Sequence, residues 1–315
     1  MPLRIVFCGT PAFGLPSLKK LLADPGCSVE AVITQPDRPR GRDRNPARSP
    51  IKDAALDGGL QIYQPERIKS EDAMQFLKGI APDAVIIIAY GQIIPRDLLE
   101  IPRLGWINLH GSLLPQYRGA APIQRAILNG NTRTGLTTMR IDAGLDTGPI
   151  LEQLEVEIRT DETAPELMAR MGDSGAPLLL NTLRKFETGE IKPRDQDNAR
   201  ATFAPPLKKE EGLIDWNRRA GEIYNHIRAF QPWPGTFSHF RGRLCQLWGR
   251  AMENPSDYPA HDPGLIVERS GEMLVACGEG TWLRVEYVQA EGRKRMSARE
   301  FANGARISSG EKFTS

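Results

Sequence analysis

The stretch INLHGSLLPQYRGAAPIQRA (107–126) puts Asn108 and His110 at the end of an apolar run, directly before a Gly-Ser-Leu-Leu-Pro turn. Residues two apart on a strand point the same way, so the amide and the imidazole share a face. Further on, MRIDAGLDTGPIL (139–151) runs from a strand into a loop carrying Asp142 and Asp146. Gly144 and Gly148 allow that loop to fold back tightly, so one of the two carboxylates can reach His110. Asn, His and Asp together make a usable set for acyl transfer. The amide donates to a carbonyl oxygen that becomes negative, the imidazole stabilises that oxyanion or moves a proton, and the carboxylate orients the ring. No Ser or Cys nucleophile is needed if the acceptor brings its own amine, and the chain has no Gly-x-Ser-x-Gly elbow. CGTPAFG, after the first apolar run, misses the Gly-x-Gly-x-x-Gly spacing, which argues against NAD binding. Taken singly, Asn108 could cap a turn, His110 could be a satisfied core histidine, and the acidic loop could be an ordinary turn. The two segments together favour chemistry.

The elements that must position these residues read as an open α/β domain. LRIVFCG (3–9), SVEAVITQ (28–35), DAVIIIAYG (83–91) and LGWINLHG (104–111) are strand-like apolar runs. Helical stretches lie between them, including 70–80 and 119–130. Strands alternating with helices predict a parallel sheet, whose ligands sit outside the carboxyl ends of the strands. Asn108 and His110 are at such an end. TAPE (163–166) has the form of a capping box and opens a long helix, which Gly175 and Pro177 should kink or break. Residues 190–207, polar and with three prolines, read as a linker between a catalytic domain (1–189) and a second domain (208–315). The second domain opens with a helix striped by Ala220, Ile223, Tyr224, Ile227 and Phe230. It continues in short strands such as WLRVEYV (282–288), where Leu283, Val285 and Tyr287 alternate with Arg284 and Glu286. Several such strands suggest a small barrel.

The 315 residues are 40% hydrophobic and 25% charged, which fits globular domains and excludes collagen, coiled coil and disorder. No apolar run reaches the length of a membrane span, and MPLRIVFCGTP enters a strand pattern without the features of a signal peptide. A cytoplasmic protein is expected. Cys8, Cys27, Cys245 and Cys277 lack metal spacing, so reduced thiols and no metal are expected. Net charge is only +2, but segment 36–52, PDRPRGRDRNPARSPIK, is locally basic. Arg38, Arg40, Arg42, Arg44, Arg48 and Lys52 stand there against Asp37 and Asp43, in a loop rich in proline. Such a loop can be merely solvated, or it can clamp phosphates.

These residues also resemble a known family. INLHGSLLPQYRGAAPIQRAI with DAGLDTG (142–148) is similar to the formyltransferases that use 10-formyltetrahydrofolate. RIVFCGTPAF, TQPDRPRGR, AYGQIIP, RGAAPIQRAI and IRAFQPWPG extend the likeness, across both domains, to the methionyl-tRNA formyltransferase family. The resemblance implies a doubly wound, mostly parallel α/β N-terminal domain that binds the folate, and a smaller C-terminal OB-like β-barrel that contacts tRNA. It places Asn108, His110 and Asp146 on the catalytic positions and Ser112, Leu113, Leu114 and Pro115 on the tetrahydrofolate-binding stretch, with the pterin against IIIAYGQII (86–94). It implies formyl transfer to the α-amino group of methionine on initiator methionyl-tRNA. The basic loop would then enter the acceptor arm, with Arg42 on the key position and Arg38, Arg40 and Arg44 beside it. Arg293, Lys294 and Arg295, with Arg299, would add contacts from the barrel. The implied protein is a monomer that needs 10-formyltetrahydrofolate as co-substrate, initiator tRNA as partner, and no metal or membrane. An amino-sugar nucleotide or water as the acceptor would suit the same Asn-His-Asp set. The basic loop and the second domain weigh against both. A non-catalytic RNA-binding module would need none of the three.

Overall fold

The computed structural model describes residues 1–39, 46–252, 261–269 and 271–315. Arg40, Arg42 and Arg44 of the basic loop lie outside the described residues. The chain divides into two compact units. The first comprises Met1–Pro122, Arg133–Glu157 and Glu166–Pro205, and the second Ile123–Thr132, Ile158–Pro165 and Pro206–Ser315.

In the first unit the four apolar runs become β1 (Leu3–Gly9), β2 (Cys27–Ile33), β6 (Ala84–Ile88) and β7 (Trp106–His110), and three short strands not expected from the sequence, β3 (Arg38–Pro39), β4 (Pro46–Ala47) and β5 (Gln61–Tyr63), lie between β2 and β6 in the chain. β8 (Arg133–Arg140) and β9 (Ile150–Glu157) follow. Among the described residues, seven of these strands form one sheet in the order β5-β2-β1-β6-β7-β8-β9. Pairings from β5 to β7 are parallel; β8 and β9 add antiparallel. The chain winds outward from β1 through β2 to β5, then returns to β6 on the other side of β1. That reversal is the switch point at which such sheets hold ligands. Every residue of β6 is buried, as a strand covered on both faces requires.

Helices α1 (Leu15–Leu22), α2 (Pro50–Asp57), α3 (Glu71–Ile80) and α4 (Arg96–Leu99) connect the parallel strands. Ser49 caps α2 by accepting from the Lys52 amide, with Pro50 at the first helical position; Ser70 caps α3 by accepting from Ala73. α5 (Pro122–Leu128) follows the turn after β7. The long helix α6 (Ala164–Glu187) is a single run with Pro177 inside it, so the expected break does not occur. An interior proline costs roughly 3 kcal/mol. Leu167, Met171, Leu179 and Leu183 are fully buried along one face. At about 1.5–3 kcal/mol each their burial exceeds that cost. Gly175 lets the helix come down on β7, since a Cβ there would stand 2.5 Å from the Leu109 Cδ2.

The second unit holds α7 (Ala220–Ala229), β10 (Phe237–Phe240), β11 (Arg243–Ala251), β12 (Ile266–Arg269), β13 (Glu272–Ala276), β14 (Trp282–Ala290), β15 (Met296–Ser297), α8 (Ala298–Ala305) and β16 (Phe313–Thr314). The strands pair antiparallel in the order β12-β13-β14-β11-β10-β16, with β15 on β14. The two ends meet: the Phe313 amide donates to the Gly264 carbonyl and the Ile266 amide to that of Glu311, both at 2.9 Å. The sheet is thus a closed small barrel around Trp216, Phe240, Phe301 and Phe313. One detail departs from the sequence pattern. Trp248 pairs with Tyr287 but Gly249 with Val285, so Glu286 is an extra residue. This bulge reverses the alternation: Leu283 and Val285 point inward as expected, but Tyr287 is 41% exposed and Val288 takes the core position.

All four cysteines are free thiols. Burial pushes Cys277 up to about 12 and Cys8 well above its usual range, so these two are poor nucleophiles at neutral pH.

Candidate active site

β7 carries Asn108 and His110 on one face of its carboxyl end, between β6 and β8. Asn108 is half-buried, and its amide makes no hydrogen bond to another described residue. His110 is buried, and its ring lies between two partners. Nε2 is 2.9 Å from the Tyr117 carbonyl and Nδ1 is 3.6 Å from Asp146 Oδ2. A carbonyl only accepts, so Nε2 carries the hydrogen, and Nδ1 is the nitrogen left to face a reacting group. The carboxylate is beyond direct hydrogen-bond reach of Nδ1. Its Oδ2 instead accepts from the Gly119 amide at 2.7 Å. The ring is therefore oriented by a backbone carbonyl, with the Asp146 charge held beside it.

The two aspartates of the glycine-rich loop separate by role. Asp142 Oδ1 accepts from the Gly144 amide and the Thr147 hydroxyl, closing the loop on itself. Asp146 alone reaches His110. Its φ of +51° is left-handed. Non-glycine residues adopt that conformation at a cost of roughly 1–2 kcal/mol. Gly148 must be glycine for a different reason. A Cβ there would lie 1.8 Å from the Arg140 carbonyl oxygen, where the loop returns past the end of β8.

The turn at Ser112–Pro115 is fastened from β8 and β9. The buried Thr137 hydroxyl donates to the Ser112 carbonyl at 2.7 Å and accepts from the Leu114 amide at 3.1 Å. Gln153 Nε2 donates to both the Leu114 carbonyl and the Thr137 hydroxyl. Ser112 Oγ donates to the Gln116 carbonyl, so this side chain closes its own turn. Leu113 packs over Gly135, where a Cβ would come within 2.4 Å of it. After β6 the segment expected to face the pterin is tied down by Gln35 and Gln92: Gln35 Nε2 donates to the Tyr90 carbonyl, and Gln92 Oε1 accepts from Ile68.

Four further groups carry no signature in the sequence pattern: the Tyr117 carbonyl, the Gly119 amide, Arg118 and Gln196. Gln196 Oε1 accepts from Arg118 Nε and Nη2, while its Nε2 donates to the carbonyls of Asp146 and Gly148. Backbone groups have no sequence signature. Gln196 lies in the polar stretch expected as a linker, of which residues up to Pro205 belong to the first unit.

The basic residues divide. Lys52 contributes no unpaired charge: its ammonium bonds Asp37 and Gln64, and the Lys52 and Gln64 bonds hold the Asp37 carboxyl below its usual range. Arg38 is exposed, 3.7 Å from Glu66. In the second unit Arg293, Lys294 and Arg295 are exposed. The Arg295 guanidinium stacks over Trp248 at 4.4 Å and Tyr287 at 4.1 Å. Among the described residues no cluster of three or more His, Cys, Asp or Glu could hold a metal ion, and no helix is long and apolar enough to cross a membrane.

A doubly wound domain with an Asn-His-Asp grouping at a strand's carboxyl end, followed by a small barrel, defines a formyl transferase. The family described as Formyl transferase matches residues 3–183, and its C-terminal domain matches 206–306. Over 311 residues the chain is 51% identical to the methionyl-tRNA formyltransferase of Solibacter usitatus, covering 99% of this chain and 98% of the relative. It is 48% identical to that of Acidobacterium capsulatum, over 96% of each. Two solved structures share the fold. The methionyl-tRNA formyltransferase from Clostridium thermocellum has a TM-score of 0.57 at 16% identity, covering 91% of this chain and 98% of that one. WlaRD, a sugar 3N-formyl transferase solved with dTDP and 5-N-formyl-THF, has a TM-score of 0.64 at 20% identity, covering 93% and 100%. The chain belongs to the methionyl-tRNA formyltransferase family.

Proposed function

We propose that this protein transfers the formyl group of 10-formyltetrahydrofolate to the α-amino group of methionine on initiator methionyl-tRNA, in the cytoplasm and as a monomer. The neutral amine attacks the formyl carbon, a new C–N bond forms, and the carbonyl oxygen becomes negative. The Asn108 amide donates to that oxyanion, and the His110 ring joins it once Nδ1 has taken up a proton, because Nε2–H is held by the Tyr117 carbonyl. As the intermediate collapses the bond from carbon to N10 breaks, and the proton lost by the amine reaches N10 through His110 Nδ1 or water. Asp146 stabilises the imidazolium that forms in passing. Ser112, Leu113, Leu114 and Pro115 line the folate site. Arg38, Arg40, Arg42 and Arg44 grip the acceptor arm, and Arg293, Lys294 and Arg295 add contacts from the barrel.

The observation that carries this reading is the half-buried Asn108 side-chain amide, with no hydrogen-bond partner among the described residues, on the same face of β7 as a histidine whose Nδ1 stands 3.6 Å from a carboxylate. A purely structural trio would have used the amide. The test is formyl transfer from 10-formyltetrahydrofolate to methionyl-initiator tRNA, an amino-sugar nucleotide and water, side by side. Rapid formylation of the tRNA alone supports the reading; turnover with either other acceptor and none with tRNA sinks it.

A further inference from the structure

We infer that residues 194–204 form a strap that positions the catalytic pair, with Gln196 as the positioning residue that sets where Asp146 stands relative to His110. The inference rests on the assignment of His110 and Asp146 to the reaction. Tyr117, Arg118 and Gly119 are consecutive and each touches one member of the arrangement. The Tyr117 carbonyl accepts from His110, Arg118 donates to Gln196, and the Gly119 amide donates to Asp146. The strap runs beside them. The Tyr117 amide donates to Thr202 Oγ1 and the Arg118 amide to the Thr202 carbonyl, both at 2.8 Å, and the Ala204 amide donates back to the Arg118 carbonyl at 2.7 Å. The Arg194 and Ile150 backbones pair on the far side of the aspartate loop.

Gln196 joins the two halves. Arginine only donates, so the amide oxygen must face Arg118 and the amide nitrogen must face the carbonyls of Asp146 and Gly148, at 2.9 and 2.7 Å. Those two carbonyls bracket the turn in which Asp146 holds its left-handed conformation. A residue in such a conformation stays there only when its surroundings over-determine it. Arg118 is 4% exposed. Among the described residues it has no carboxylate partner, and it is held by Gln196 and the Asn198 side chain. Only a side chain with an acceptor on one side and a donor on the other fits between the guanidinium and the loop. Glutamate would set an anionic oxygen against two carbonyls. Methionine fills the volume and makes neither contact.

The test is a double-mutant cycle between Gln196→Met and Asp146→Ala, read as kcat and KM for methionyl-tRNA, with melting temperatures for every variant. Displacing a catalytic group by about 1 Å costs up to about a hundredfold. Gln196→Met is therefore expected to lower kcat about 10- to 100-fold with KM nearly unchanged, and to have little further effect once Asp146 is alanine. Gln196→Glu keeps the Arg118 contact and is expected to lose kcat similarly; it carries the test if the methionine variant does not fold. Equal loss of kcat in both Asp146 backgrounds would make Gln196 a purely structural residue and overturn the inference. So would an unchanged kcat in the single variants. A wild-type rate in Asp146→Ala alone would instead overturn the assignment of the site, and the inference with it.

Discussion

Replacing Thr137 with valine is the sharpest test of how the turn at Ser112–Pro115, proposed to bind folate, is built. The change keeps shape and removes one buried hydroxyl. That hydroxyl donates to the Ser112 carbonyl and accepts from the Leu114 amide and from Gln153. Gln153 keeps its bond to the Leu114 carbonyl, so it is not stranded. The Ser112 carbonyl and Leu114 amide have no substitute. Each buried group left unsatisfied costs about 1–3 kcal/mol, so the variant should lose roughly 2–6 kcal/mol. For a domain of this size each kcal/mol lowers the melting temperature by about 2–4 °C, which predicts a fall of roughly 5–20 °C by calorimetry. The turn should also bind tetrahydrofolate more weakly in titration. Thr137→Ser keeps the hydroxyl and should lose only about 1 kcal/mol from the missing methyl. A Thr137→Val protein that melts within about 2 °C of wild type and binds folate unchanged would refute the reasoning.

Three other outcomes are expected. Gly148→Ala must push its Cβ into the Arg140 carbonyl and so displace Asp146; kcat should fall more than tenfold, about 1.4 kcal/mol or more, with KM for folate nearly constant, and an unimpaired variant would show that the loop has room. Acid should weaken the second unit. Burial outweighs the Glu211 carbonyl contact and holds His226 down to about 4, from an ordinary 6.5. The unfolded chain therefore binds the extra proton between those values, and stability falls as pH drops from 6.5 to 4, by on the order of 3 kcal/mol. Arg125, through its hydrogen bond, holds the Glu211 carboxyl low, so its contribution is present at neutral pH and lost in the same direction. His226→Gln should flatten the melting temperature between pH 7 and 4, and an equally steep curve would contradict the assignment. Arg295→Ala removes stacking on two rings, about 0.5–1 kcal/mol each, so the melting temperature should fall by about 2–8 °C. KM for methionyl-tRNA should rise with a salt slope about one unit shallower; an unchanged slope would mean that Arg295 meets no phosphate.

The sequence pattern reached some of this architecture and missed the rest for identifiable reasons. β6 was readable because a strand covered on both faces reads as an unbroken apolar run, here Ala84–Ile88. β14 misled because a single extra residue, Glu286, reverses which side chains face inward, and only pairing with β11 reveals it. α6 survives Pro177 because the burial of its apolar face outweighs a local penalty. Lys52 belongs to the basic loop by sequence, but its ammonium is paired with Asp37, a contact across fifteen positions that the sequence pattern does not reveal. At the site, side chains were legible and their fastenings were not. Type and spacing pointed to Asn108, His110 and a nearby aspartate. Distinguishing Asp146 from Asp142, by contrast, depended on which one folds the loop onto itself. The Tyr117 carbonyl and Gly119 amide belong to the backbone that every residue shares, and Gln196 lies in a stretch with no periodicity at all.

The central claim is that Asn108 supplies a hydrogen bond made in the transition state. Single-turnover formylation of methionyl-initiator tRNA by wild type and Asn108→Ala, at saturating 10-formyltetrahydrofolate, tests it most directly. The amide makes no bond within the described protein, so its loss strands no buried group and the melting temperature should hold. The rate should fall by about 10²–10³, the cost of losing one oxyanion donor, with substrate binding little changed. A rate within about threefold of wild type would correspond to less than 1 kcal/mol and would contradict the account.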